Sequence, residues 1–491
     1  MSAAPSSQPE PASPSAPVPA PLPDTLDVSA RVPLLALFLS AAGWLLIGSV
    51  FALIASIKFH APGFLAGSGW LTYGRIYPVS TNLFLYGFCV QAGLGVALWL
   101  LGRLGQTTLA QLWLVGVGGF LWNLGVIAGV LGVLDRASTG FEHLEMPGYA
   151  AMIMFLGYVL LALCGVLTFH QRKLRELYAS QWFLFTALFW FPWIYSTANL
   201  LLVTFPVRGV VQSILDWWYS QNLQVVWLGL VGLAIVFYFI PKLSDRELHS
   251  RYLAVLVFWM LVLLGPWGGI PNSAPVPAWL PVASTISAVL LVTALIAVAL
   301  NVYRTIGCVA LAAPGNPSLS FTLFAVAAFI IAGLMRAFGG LLDSTQELQF
   351  TWFATARSQL HACGFFAMAV FGAVYWILPR IIGLEFPWPK LVRAHFWVAA
   401  VGITLLVLPL AIGGIVQALQ LQKPNIPFTT IANTGLTFLR VSTIGDLLLL
   451  CGHLIFLGNL ISLALKFYSV PARAAYMAAT ADLFKTVEAK S

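Results

Sequence analysis

The sequence predicts an all-α fold, a polytopic membrane bundle of about 12 transmembrane helices. Three observations carry that prediction. Apolar residues make up 60% of the 491 and charged residues only 8%, with a mean hydropathy of +0.91, far outside the soluble range. The apolar residues are gathered into long runs separated by short polar or Pro/Gly breaks. The basic residues are distributed unequally between alternate loops.

The elements follow in order. Residues 1–31 form a tail rich in Pro, Ala and Ser, with eight prolines before Asp24, and such a segment buries too little apolar surface to offset the entropy of ordering. It lacks the basic start and apolar stretch of a signal peptide, so the first helix directs insertion. A span of roughly 30 Å of hydrocarbon takes about 20 apolar residues. Suitable runs fall at 34–57, 79–101, 112–134, 149–169, 182–204 and 223–239, then at 253–264 with its flanks, 280–302, 321–337, 360–378, 396–419 and 441–465. No internal repeat is visible, so residues 32–467 read as one transmembrane domain and 468–491 as a C-terminal tail.

When alternate loops are assigned to one side, 16 of the 24 lysines and arginines fall together with both termini. That side is read as cytoplasmic, in a bacterial inner membrane. The same bias explains the net charge of +8 and leaves no need for a nucleic-acid partner. The five cysteines, Cys89, Cys164, Cys308, Cys363 and Cys451, lie in or beside apolar runs and form no Cys-x-x-Cys-His motif, so they read as packing residues.

Several motifs carry a family resemblance. Trp217-Trp218-Tyr219-Ser220-Gln221-Asn222 precedes an apolar helix ending Tyr238-Phe239-Ile240-Pro241-Lys242. Thr72 to Asn82 contains a Gly-Arg followed by Pro78-Val79-Ser80-Thr81-Asn82, and Leu264-Gly265-Pro266-Trp267-Gly268 closes the seventh run. Farther on come Gly372-Ala373-Val374-Tyr375-Trp376-Ile377-Leu378-Pro379-Arg380, Ala394-His395-Phe396-Trp397 and Phe438-Leu439-Arg440. In this order the motifs resemble subunit I of the haem-copper oxidases, the cbb3 type above all.

The resemblance implies imidazole ligands for two haems and one copper, and this chain departs at each of those positions. The low-spin haem position is Ser80, the copper positions are Gln221, Trp267 and Gly268, and the two haem positions on the tenth helix are Arg357 and Gln359. The tyrosine cross-linked to a copper ligand in the family becomes Leu261. A two-residue slip of register would bring in His361 instead, at the expense of the Gly364 match. None of the six residues is a strong copper or haem-iron donor. The expectation is therefore no bound cofactor, with copper disfavoured and haem b left as a lesser alternative, for which His361 and His453 on different helices are the candidate clamp. Arg357, paired with Asp343 or Glu347, is expected to fill the haem cavity, and Trp267 the copper cavity, because interiors do not tolerate large voids.

Two further groups are singled out. Asp446 and His453 are seven residues apart and share a helix face, with Arg440 a turn or two outward, giving a candidate polar path or a structural hydrogen-bond ladder. Glu142 to Pro147 resembles a family loop near the haem edge and the cytochrome-bearing partner, which would imply a calcium role for Glu145, but the preferred reading is a solvated acidic loop. The function implied is a non-catalytic scaffold or anchor in a respiratory electron-transfer complex, partnered by lipid and by c-type cytochrome or other oxidase-like subunits. Two alternatives stay open: an active cytochrome c oxidase core, and a module that binds or conducts protons, gas or quinone.

Overall fold

The computed structural model describes residues 25–312, 316–340 and 348–488. Among them twelve apolar helices run back and forth: α1 (Thr25–His60), α2 (Tyr73–Gly105), α3 (Leu112–Leu134), α4 (Gly148–His170), α5 (Ala179–Thr204) and α6 (Val210–Ser244). They continue with α7 (Arg251–Trp267), α8 (Trp279–Gly307), α9 (Pro317–Gly340), α10 (Trp352–Ile382), α11 (Pro389–Leu421) and α12 (Phe428–Glu488). Eleven are long and apolar enough to cross a membrane, and α7 is the shorter twelfth that the sequence also made shortest. The protein is a multi-pass membrane bundle.

Three helices form its axis. In α2 and α6, 94% of the most apolar stretch is buried, and in α10 83%, whereas the other long helices bury only 33–50% and present the remainder outward. Close approach in the outer layer depends on small residues, which let backbones meet where lipid supplies no hydrophobic drive. At the α3–α4 crossing a Cβ on Gly157 would stand 2.7 Å from the Trp122 amide nitrogen and 2.9 Å from the Gly118 carbonyl, so glycine is required there.

Each axial helix also loosens into π-helical turns: Leu83–Val90 in α2, Asn222–Trp227 in α6 and Leu360–Ala367 in α10. A further such segment, Asn199–Thr204, ends α5. Inserted π turns rotate the side chains that follow them relative to a regular helix, and they concentrate at functional sites.

The N-terminal boundary differs from the sequence expectation. Helix α1 begins at Thr25, so residues 25–31 belong to the bundle rather than to the tail, while residues 1–24 lie outside the described residues. The cause is tertiary docking. Trp99 Nε1 donates to Asp27 at 3.0 Å, Arg31 Nε donates to the Ile381 carbonyl at 2.7 Å, and Leu26 and Ala30 are buried. At the other end α12 continues through the segment read as a tail, as far as Glu488.

Candidate functional site

A cavity of about 610 Å³ lies among α1, α2, α6, α10 and α12. Ser80, Gln221, Arg357, Gln359, Asp446 and His453, drawn from four separate helices, all line it. Ser80, Gln221 and Gln359 each sit one to three residues before the π turns of their helix.

One end of the cavity is closed by a compact cluster. The Gln221 amide nitrogen donates to the Gly265 carbonyl at 3.0 Å, and its oxygen accepts from Arg336 Nη1 at 2.6 Å. A Cβ on Gly268 would lie 2.6 Å from Gln221 Nε2, and one on Gly269, whose φ is +92°, would lie 2.9 Å from Gln221 Cβ. The glutamine and the glycine pair are therefore mutually required: the long amide occupies space that any side chain at 268 or 269 would contest. Leu261 is buried beside this cluster, its Cδ2 3.1 Å from a Cβ placed on Gly229 of α6. A smaller pocket of about 70 Å³ adjoins it, lined by Gln221, Gly268, Arg336 and Arg357.

The model of the family described as Cytochrome C and Quinol oxidase polypeptide I matches residues 32–448. The chain belongs to that family. It is similar to the cbb3-type cytochrome c oxidase subunit CcoN1 of Stutzerimonas stutzeri, with 22% identity over 397 residues, 79% of this chain and 83% of that one. It is also similar to a cytochrome c oxidase subunit 1 homolog of Azorhizobium caulinodans, 24% identical over 446 residues that cover 86% and 80% of the two chains. Among solved structures, the cryo-EM structure of a haem-copper terminal oxidase dimer superposes with a TM-score of 0.71 at 14% identity, covering 89% of this chain and 84% of that one, which shows the shared fold.

In this oxidase polypeptide I chain the side chains at the positions that the sequence resemblance assigns to the metals are not donors that fit copper or haem iron. Both ends of the Gln221 amide are engaged, Gly268 has no side chain, and the Ser80 hydroxyl donates to the Tyr77 carbonyl at 2.7 Å. Arg357 is a cation and Gln359 a neutral amide that accepts from Cys363 Sγ at 3.3 Å. Among the described residues no three His, Cys, Asp or Glu side chains converge as a metal group. Copper and haem iron are ordinarily held by imidazole, thiolate, thioether or phenolate donors, none of which these side chains supply.

Several expectations need correction. Trp267 does not fill the copper cavity: it sits on a 3₁₀ turn, Gly265–Trp267, that turns it outward and leaves it 53% exposed. Arg336 of α9, not Trp267, is the side chain that meets Gln221. The sequence signal for it was a lone guanidinium inside an apolar run, a costly placement that marks an interior role. Nor does Arg357 fill a cavity: it stands on the wall of the large open one. Its proposed partners Asp343 and Glu347 lie outside the described residues.

His361 and His453 are not brought together. His453 lines the cavity and shares a 2.6 Å hydrogen bond with Ser49 of α1, whereas His361 lies off the cavity wall among Phe329 and Phe365. Asp446 and His453 do share the wall, but Arg440 is exposed and leaves the stripe.

The loop at 142–147 is the residue set that sequence reasoning placed least well. It is not solvated: His143 and Glu145 are buried, and only Glu142 faces solvent. His143, at a left-handed φ of 63°, reaches into the bundle, where Nδ1 meets Ser220 Oγ at 2.6 Å and Nε2 meets the Gln224 amide nitrogen at 2.7 Å. Gln224 in turn accepts from Ser358 of α10 at 2.8 Å, so its amide links α6 to α10 at the cavity rim while the loop imidazole holds that amide in place. Glu145 accepts from Asn82 Nδ2 at 2.8 Å. Burial pushes the Glu145 carboxyl above its ordinary value, against the attraction of His143 and the Asn82 bond.

Proposed function

We propose that this chain is a non-catalytic subunit I homologue that anchors a respiratory electron-transfer assembly in a bacterial inner membrane, with both termini cytoplasmic. Its partners are c-type cytochrome or other oxidase-like subunits, together with lipid. One observation supports the reading above the rest: the positions that correspond to the family's metal ligands, Ser80, Gln221, Trp267, Gly268, Arg357 and Gln359, hold no imidazole. Haem b is held by axial imidazole bonds as well as by burial, and copper by nitrogen or sulfur donors, so neither is expected to stay bound. A pyridine haemochrome assay and metal analysis of the isolated chain test this directly. The expected result is substoichiometric haem and copper. A dithionite-reduced spectrum with one or two haem b per chain would overturn it and return the chain to the active oxidases, as would cyanide-sensitive oxygen uptake with reduced cytochrome c.

A second reading, a module that binds or conducts a small species, is favoured by the cavity itself. A pure scaffold has no need of an open space of about 610 Å³ with Asp446 and His453 on its wall. Proton flux into liposomes that hold the purified chain alone, compared with Asp446→Asn, tests the conducting form; equal flux with and without protein removes it.

A further inference from the structure

Arg336 and Arg357 stand on neighbouring helices, and both line the central cavity and the smaller pocket beside it. They lie within Coulombic reach of one another. A guanidinium stays charged under all physiological conditions, and a charge inside a membrane domain is costly unless it is matched. The described partner of Arg336 is a neutral amide, Gln221, and Arg357 Nε is buried with no hydrogen-bond partner among the described residues.

Among the described residues, the carboxylates on the cavity wall do not neutralise this end. Glu142 is within reach of Arg357, but its side chain is 64% exposed and its charge is screened by water. Asp446 sits on α12 beside Ser56 of α1. The wall between them is partly aromatic: Phe59 packs on Tyr73 and on Trp352 with ring centroids 4.8 Å apart in both pairs, and all three rings face the cavity.

We propose that this cavity binds a small organic carboxylate, its head group held between Arg336 and Arg357 and its apolar body against Phe59, Tyr73 and Trp352. The planar fork of each guanidinium matches a carboxylate better than a point cation does. The volume suits a small molecule, for which sites of roughly 300–1,000 Å³ are usual. The inference rests on the reading that haem does not occupy this space.

The test uses the full-length chain in nanodiscs, first assayed for haem, then dialysed to equilibrium against radiolabelled benzoate, benzamide or nitrate. Benzoate is expected to bind saturably at one per chain, and benzamide, the neutral isostere, at least about tenfold more weakly, as is nitrate, which lacks the ring. Arg336→Gln and Arg357→Gln should each weaken benzoate by about tenfold or more, while Arg440→Gln, outside the cavity, should not. Should either arginine variant fail to fold, the benzoate-to-benzamide ratio on the unaltered protein still decides. Equal binding of benzoate and benzamide, nitrate as tight as benzoate, or arginine variants that bind as the parent does would overturn the proposal. Haem-free protein that ignores benzoate sinks this inference alone, whereas stoichiometric haem sinks the reading beneath it as well.

Discussion

The two ends of the cavity are built in opposite ways. At the Gln221 end Gln221, Gly268, Gly269 and Arg336 from α9 lock into one tightly packed, hydrogen-bonded cluster, and Arg336 and Arg357 face the open space beside it. At the Ser80 end the wall is open. Ser80 turns back to its own helix, His453 bonds to Ser49, and both line the cavity. The first end is filled by its own side chains, and the second leaves room. Close packing is worth several kcal/mol to a bundle, so an uncompensated cavity is retained only at a cost.

This contrast predicts unequal sensitivity to added volume. Gly269→Ala places a Cβ 2.9 Å from Gln221 Cβ on a backbone with φ of +92°, so overpacking and left-handed strain add. A loss of about 2–4 kcal/mol is expected, read as a lower midpoint of thermal unfolding in nanodiscs. A substitution there that leaves the midpoint unchanged would show that Gln221 swings away freely and that the cluster is not locked.

The rim is next in size. His143 joins Ser220 and Gln224, and through Gln224 it reaches Ser358, so His143→Ala leaves buried polar groups on α6 without their partner. A loss of about 1–3 kcal/mol is expected, with faster amide exchange in the N-terminal halves of α6 and α10 as the local signature. At the open end the effect should be small. Ser80→Val removes a hydrogen bond to Tyr77 and projects two methyls into free space, which is expected to change stability by less than about 1 kcal/mol. A large loss would mean that the cavity is narrower in solution than its volume implies.

The sequence reveals the bundle readily because each helix is written as a separate apolar run, and membrane thickness fixes how long such a run must be. It is silent about residues 25–31, whose Asp27 and Arg31 look solvated until Trp99 and the Ile381 carbonyl are placed beside them. Of the site, the positions carried by motifs were legible, and Ser80, Gln221, Arg357 and Gln359 do meet around one cavity. What motifs could not give was direction. Trp267 and Arg440 face outward because of a 3₁₀ turn and a helix phase respectively, and π turns in α2, α6 and α10 shift phase in ways no regular period encodes. Arg336 and His143 were missed for a related reason: each acts across a gap in sequence of many tens of residues, on partners that only the fold supplies.

The smallest predicted effect concerns Glu145, which belongs to the rim rather than to either end. Burial raises its carboxyl pKa in the folded protein above the unfolded value of about 4.3. The folded state thus binds the proton more tightly than the unfolded chain does. The stabilisation this gives is complete below the unfolded pKa and is lost as pH rises through the folded pKa. Glu145→Gln keeps an oxygen for Asn82 Nδ2 and removes the charge, so the variant should flatten the dependence of the unfolding midpoint on pH above about 4.3, with a gain of at most about 1 kcal/mol near neutrality. Midpoints measured in parallel across that range for both proteins separate the outcomes. If the variant loses stability at neutral pH instead, the ionised carboxylate is being held by a cation that the buried rim does not otherwise reveal, and His143 would be the first residue to test for it.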